Sequence, residues 1–429
     1  MSNSSSNQTL TITEPQRNLP VSDQYDVLVA GGGLAGVAAA VAAARSGVSV
    51  CLIDKAFALG GLATLGQVTV WLPLCDGYGR QVTAGLSEEM LKLSVADLKQ
   101  ENTTARFTGI PPAWLPSGDV EERKKIRYLT RFNPTSYLLA LETWLLNEGV
   151  ELMYDTRLCA LHHKEDKISH VIIENKGGRS AIQCNVVIDA TGDADVCHFA
   201  GEPTESLDGN VLAGWFYTLR EDNLHLHAMT NVMSKDGGQN DKGAPFFRGD
   251  DPYQVTMQLI QSRALMHQKV AAMRAKSPDD DIQIFNVPTQ PCFRMTRRLV
   301  SDFSMSVNQQ HQWLEDTINF ISDWRYRGPV YPMPLRSLIA PKHRNLMAVG
   351  RCMSADRTMW DVTRCFPGCC TSGEAAGIAA ALAIKSHQSD VHQLAPNAVQ
   401  REIMKRGGLL DRLLLEPADG FDKREVEGL

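Results

Sequence analysis

What the chain lacks narrows it first. No run of about eighteen apolar residues occurs, so no segment is built to span a bilayer. The polar opening MSNSSSNQTLTITEPQRNLP has no basic stretch followed by an apolar one, so no secretory signal is expected. Residues 1–24 are expected to form a flexible leader. A cationic surplus is missing too. The net charge of −6 and pI near 6.0 argue against nucleic acid or an anionic membrane as the main partner. Ten cysteines in 429 residues include no C-x-x-C pair, so neither a dithiol motif nor a run of iron–sulfur ligands is present. Free thiols and a cytoplasmic location are the expectation. The histidines show no H-x-x-x-H or H-E-x-x-H spacing, and no metal site is expected. His162 and His163 read as surface residues, and His225 and His227 as neighbours on one face of an extended segment.

The stretch that organises the rest is Tyr25 to Lys55, YDVLVAGGGLAGVAAAVAAARSGVSVCLIDK. An apolar run, Val27 to Ala30, ends in Gly31-Gly32-Gly33. An alanine-rich helical pattern follows, then a second apolar run, Val48 to Ile53, closed by Asp54. Strand, tight turn, helix and strand, with G-x-G-x-x-G at Gly31, Gly33 and Gly36, predict a unit that binds a dinucleotide. Gly31 permits the turn, Gly33 lets bare backbone approach a pyrophosphate, and Gly36 lets the helix sit close to the sheet. The helix start adds free N–H groups and about half a unit of positive charge. Asp54 falls where a carboxylate can hold the adenosine ribose.

Further along, FALGGLATLGQVTV (Phe57 to Val70) is a small-residue loop able to wrap a cofactor. The EERKK run at 121–125 predicts a solvated face, and PTSYLLALETWLLNEG a helix that stops at Gly149. VELMY, RLCAL, ISHVIIEN and AIQCNVVIDAT predict strands, with a hairpin at Gly177-Gly178. The last strand runs into Ala190-Thr191-Gly192, a second point where backbone can meet a ligand. Residues 203–334 predict an inserted region. It holds a strand over Ala213 to Leu219, a polar loop over Ser234 to Asp251 and a helix over Val255 to Lys276. FRMTRRLVSDFSM then clusters Arg294, Arg297 and Arg298, which can clamp a carboxylate or phosphate or make structural ion pairs. Tyr331 to Pro334 is expected to be extended. A strand, Leu346 to Val349, leads to Gly350-Arg351 and a polar loop. Pro367-Gly368 then opens a long helix carrying Gly373 and Gly377, and a polar helix is expected over Pro396 to Arg406.

In this order, GGGLAG…GGLAT, DATGDAD, FRMTRR, PMPLRSL and GRCMSAD…TRCFPGCCTSGEAAGIAAALA resemble the FAD-dependent oxidoreductase family of glutathione-reductase-like fold. That family also includes flavin subunits related to heterodisulfide reductase. The resemblance covers residues 25–385 and implies an α/β chain with a discontinuous Rossmann-like FAD-binding domain of glutathione-reductase type. That domain would comprise residues 25–74, 135–202 and 335–386. An inserted α+β substrate region would form a lid from 75–134 and 203–334, with a helical tail over 387–429. One non-covalent FAD is implied. By resemblance, Gly31, Gly33, Leu34, Ala35 and Gly36 cradle its pyrophosphate, and Asp54 and Lys55 meet the ribose. Gly61, Leu62, Ala63 and Thr64 meet the phosphate and ribityl chain, while Leu158, Ala190, Thr191 and Gly192 line the adenine side. Gly350, Arg351 and the helix start near Cys369 approach the flavin, where a helix N-terminus favours the negative charge of the reduced ring. One departure stands out: the family often has a His-Glu pair after Ser354-Ala355-Asp356, and Arg357-Thr358 stand here.

The implied activity is transfer of a hydride between a small polar substrate and flavin N5, with electrons passing to an unidentified acceptor. Arg294, Arg298 and Arg364 are the candidates for the substrate pocket, with Asp361 or Tyr331 as a base. No second nucleotide fingerprint is present, so a built-in NAD(P) domain is not expected. The G-D-A-A-H segment of aromatic hydroxylases is missing where Gly350-Arg351-Cys352 stands. The alternative is a flavin-binding electron-transfer subunit, or a protein whose FAD is structural. Self-association into a homo-oligomer stays open. Cys365, Cys369 and Cys370 lie toward the expected flavin side, but a vicinal bridge would be strained.

Overall fold

The computed structural model describes residues 11–97, 109–212, 214–229, 245–386, 389–419 and 425–426. Ala213, most of the expected Ser234 to Asp251 loop, the first ten residues of the expected leader, and parts of the 75–134 region and the tail lie outside the described residues.

The opening stretch folds as its pattern predicts. Strand β1 (Val21–Ala30) begins within the expected leader and ends in four buried residues. Helix α1 (Leu34–Arg45) follows directly and is buried from Leu34 to Ala43, and strand β2 (Val50–Ile53) is buried throughout. A helix that is apolar on every side has to lie between other elements. Helices α2 (Leu86–Val95) and α3 (Pro134–Asn147) come next, then strands β3 (Glu151–Met153), β4 (Arg157–Lys164), β5 (Lys167–Asn175) and β6 (Gly178–Asp189).

The inserted region supplies β7 (Thr204–Ser206), β8 (Trp215–Arg220), β9 (Asn223–Ala228), helix α4 (Pro252–Lys276), β10 (Gln283–Asn286) and β11 (Arg297–Leu299). The hairpin of β12 (Thr317–Ser322) and β13 (Val330–Pro334) leads back to β14 (Leu346–Ala348). Helix α5 (Arg357–Thr363) occupies what reads as a polar loop. Helices α6 (Phe366–Lys385) and α7 (Pro396–Lys405) finish the fold.

Among the described residues the main sheet has seven strands. Its parallel part runs β3-β2-β1-β6-β14, and β4 and β5 add an antiparallel meander to β6. Alternate residues of the parallel strands feed two cores. Val27, Val29, Leu52 and Ile188 join the helices, while Leu28, Ala30, Ile53 and Val187 join residues of the meander such as Leu158 and Val171. Helix α6 lies against α1 at a spacing only glycine allows. A Cβ at Gly373 would stand 2.1 Å from Ala35 O, and one at Gly377 2.2 Å from Ala39 O. The carboxyl ends of β1, β2, β6 and β14 therefore meet the start of both helices at one edge of the sheet, the usual ligand edge of an open α/β sheet.

Candidate active site

At that edge the chain turns sharply at Gly31, whose φ of +110° favours glycine; a Cβ there would stand 2.4 Å from Ala190 O. Gly36 is equally constrained, with a Cβ 1.8 Å from Gly31 O. Gly33 differs, because a Cβ there would meet nothing within 4 Å. It projects into a cleft of about 560 Å³. The turn, the Gly61 loop, the Ala190-Thr191-Gly192 turn and Arg351 all face this cleft. Arg351 reaches across from the C-terminal segment, where a Cβ on Gly192 would stand 2.5 Å from its Nη2.

Of the residues expected at a cofactor, Gly31, Gly33, Leu34, Ala35, Asp54 and Lys55 line the cleft. Gly61, Leu62, Ala190, Thr191, Gly192, Arg351 and Cys369 do so as well. Gly36, Ala63, Thr64 and Gly350 stand behind the lining. Thr64 is buried with its hydroxyl on Leu59 O. Leu158 lines an adjoining cavity with Arg157 and Asp195. Asp54 is already engaged: Oδ2 accepts from Gly32 N at 2.5 Å and Oδ1 from Ala56 N at 2.6 Å, so it fixes the turn as well as facing the cleft. Sequence reasoning missed Arg157, Thr289, Gln290 and Pro291 on the lining. Thr289 N donates to Leu65 O at 2.9 Å, which ties the inserted region to the small-residue loop.

Does this cleft suit a dinucleotide? Both α1 and α6 start at it with no side-chain cap and no acidic residue in the first turn, so their orphan N–H groups face no competing carboxylate of their own helix. The open side of Gly33 adds bare backbone. The donors present fit a pyrophosphate and a flavin.

A smaller chamber of about 80 Å³ adjoins the cleft, sharing Leu62, Arg351, Arg364 and Phe366 with it. Arg294 and Arg364 both line it, and both bind Asp361. Arg364 donates from Nε at 3.0 Å and from Nη2 to the same oxygen, Oδ1, that takes Arg294 Nη2 at 3.4 Å. Arg294 is 7% exposed, and its Nη1 has no partner among the described residues. A buried donor left in that state costs about 1–3 kcal/mol. Burial, and then the neighbouring Arg364, bring Arg294 down to about 10. Burial pushes the Asp361 carboxyl up, but Arg364 and Arg294 outweigh it and hold it below its ordinary value. Asp361 is a counter-ion in this arrangement and does not line either cavity.

The other candidates sit elsewhere. Arg298 lines neither cavity: it pairs with Glu205 at 2.5 Å and lies 5.5 Å over the Trp360 ring. Tyr331 is fully buried and donates to Asp323 Oδ2 at 3.1 Å. Arg297, the third of the cluster, binds Asp195 at 2.6 Å. Cys365 faces the chamber and Cys369 the cleft, and burial pushes both thiols up to about 12. They are therefore protonated at neutral pH, donating to Asp361 O and Arg364 O. Among the described residues no His, Cys, Asp and Glu group is placed to hold a metal. No helix among them is long and apolar enough to cross a membrane.

Fold and cleft together define an α/β dinucleotide-binding protein. Residues 26–210 and 311–403 match the FAD dependent oxidoreductase family, more than half of the sequence, and the chain belongs to that family. It is 33% identical over 116 residues to a glutathione reductase of Schizosaccharomyces pombe, covering 27% of this chain and 21% of that one. It is 36% identical over 72 residues to a thioredoxin reductase of Ureaplasma parvum, covering 17% of this chain and 23% of that one. These matches thus span less than a quarter of each relative. Among solved structures, a geranylgeranyl bacteriochlorophyll reductase-like protein from Thermoplasma acidophilum aligns at TM-score 0.40 and 15% identity, over 92% of this chain and 89% of that one. The open conformation of a flavocytochrome c3 fumarate reductase aligns at 0.42 and 14%, over 84% and 79%.

Proposed function

We propose that the chain is an oxidoreductase in which a small substrate in the chamber exchanges a hydride equivalent with FAD in the cleft. When bound, FAD supplies the two-electron chemistry at N5, and the protein supplies position and electrostatics. The observation that carries this reading is the shared wall. Leu62, Arg351, Arg364 and Phe366 belong to both spaces, so a molecule in one touches the boundary of the other. Leu34, Ala35 and the turn at Gly33 would hold the pyrophosphate, Lys55 and Asp54 the ribose, and the α6 start near Cys369 the ring. Arg294 and Arg364 would orient the substrate. Residues 25–74, 135–202 and 335–386 would form the FAD-binding part, with 75–134 and 203–334 closing over the substrate.

The test is the visible absorption spectrum of the purified protein, followed anaerobically as candidate substrates are added. Flavin bands that bleach with one compound, and turnover with an artificial dye acceptor, are expected. Bands that never bleach with any reductant substrate would move the reading to a structural or relay flavin. Absence of flavin after reconstitution with FAD would overturn it.

A further inference from the structure

The chamber differs from what a general polar substrate requires. Its walls are hydrocarbon: Leu62, Val68, Val70 and Leu72, with Trp215, Trp324 and Phe366. Among the described residues that line it, charge enters only through arginine. Arg351 is matched, with Nη2 on Asp193 at 3.2 Å and Nη1 on Phe293 O. Nearby, Arg325 is matched by a two-pronged pair with Asp323, both contacts at 2.9 Å. Arg294 and Arg364 are not matched, because two guanidiniums share one oxygen of one carboxylate. One positive charge is left over, and Arg294 Nη1 is buried there without a partner among the described residues.

We infer that the chamber seats a short-chain monocarboxylate, with its carboxylate on Arg294 and Arg364 and its hydrocarbon part against Trp215, Trp324 and Phe366. This rests on the proposed function, whose substrate class it names. Charge selects the headgroup: one surplus guanidinium is balanced by a monoanion, whereas a phosphate group carries about 1.5 to 2 negative charges at pH 7 when esterified. Shape agrees, since the planar fork of a guanidinium matches the two oxygens of a carboxylate. Size selects the tail. The chamber, at about 80 Å³, is about half the roughly 150 Å³ of a cavity that accepts the six heavy atoms of benzene, so the occupant is an acid of two or three carbons. Position does the rest, because the wall shared with the cleft sets the occupant beside the flavin site.

The experiment is calorimetric titration of the FAD-loaded protein with propionate, with propionamide as its neutral isostere, and with inorganic phosphate. Propionate is expected to bind at least tenfold more tightly than either. Arg294→Met, which keeps length and removes charge, should weaken propionate at least tenfold and leave the flavin spectrum unchanged. Equal affinity for acid and amide, tighter binding of phosphate, or no binding of the acid would overturn the proposal. Should Arg294→Met not fold, the three ligands on the unaltered protein still decide. The two readings fail separately. A protein that carries reducible flavin but ignores propionate refutes only the substrate class, and one that takes up no flavin refutes the function.

Discussion

Single side chains here are set by burial, and two of them allow direct tests. On α6, Glu374 is 1% exposed, its Oε2 accepts from Leu86 N at 3.0 Å, and its Oε1 has no partner among the described residues. Burial pushes its carboxyl up from 4.5 to about 7. The folded chain therefore keeps this proton to higher pH than the unfolded chain does. The associated stability is complete below about 4.5 and is lost as pH rises through about 7, and it amounts to about 3 kcal/mol. Glu374→Gln should flatten that slope, so melting temperatures at pH 5 and pH 8 should differ less in the variant than in the parent. An identical difference in both would assign the slope to other groups. Arg298 is the second case. Its place in the FRMTRR run made it a substrate-pocket candidate, because sequence shows clustering but not direction. It instead packs on Trp360 and Glu205. Arg298→Ala should lower stability by about 1–2 kcal/mol in denaturant melts and leave turnover with saturating substrate nearly unchanged. A large loss of turnover in a stable variant would return Arg298 to the reaction.

Elements were legible where their signal is local. The β1-turn-α1-β2 unit declares itself by glycine spacing and by two short apolar runs on either side of an alanine-rich stretch, and the sequence pattern places it within a few residues. Helix α5 did not declare itself. Its sequence, RTMWDVT, mixes polar and bulky residues over two turns, and only Asp356, whose Oδ1 accepts from Met359 N at 2.7 Å, marks its start. The hairpin of β12 and β13 was half legible, since prolines signal extension but not the partner strand. Contact between α1 and α6 was hidden for another reason: small residues on two distant helices give no sign that they face each other. The close approach has a cost that can be measured. Gly373→Ala would press a methyl onto Ala35 O and force the helices apart, at about 1–3 kcal/mol or more. Since both helix starts face the cleft, flavin content should fall together with the melting temperature. Loss of stability with full flavin content would show that the cleft does not depend on this packing.

At the scale of the whole molecule the cleft is assembled from segments far apart in sequence, which is why its rim was only partly foreseen. Gly31 to Ala35, Ala190 to Gly192 and Arg351 come from motifs. Arg157 and Thr289 to Pro291 come from a strand edge and a loop with no pattern of their own, and only folding brings them there. Two glycines of the fingerprint separate what holds the fold from what would hold the ligand. A side chain at Gly36 collides with Gly31 O, so Gly36→Ala should lower the melting temperature whether or not FAD is present. Gly33 caps α1 at φ −66° and ψ 174°, an extended conformation open to any residue, and its Cβ direction is empty. Serine is a favoured N-cap, so Gly33→Ser should leave the FAD-free protein at least as stable as the parent. It would also place a side chain where the cleft offers bare backbone to a pyrophosphate. FAD at about one hundred times its dissociation constant should stabilise the parent by about 2.7 kcal/mol. In Gly33→Ser the same concentration should give a much smaller rise in melting temperature, since a tenfold loss of affinity removes about 1.4 kcal/mol. A variant that is stable without FAD and gains as much from it as the parent would show that the phosphates do not rest on this turn.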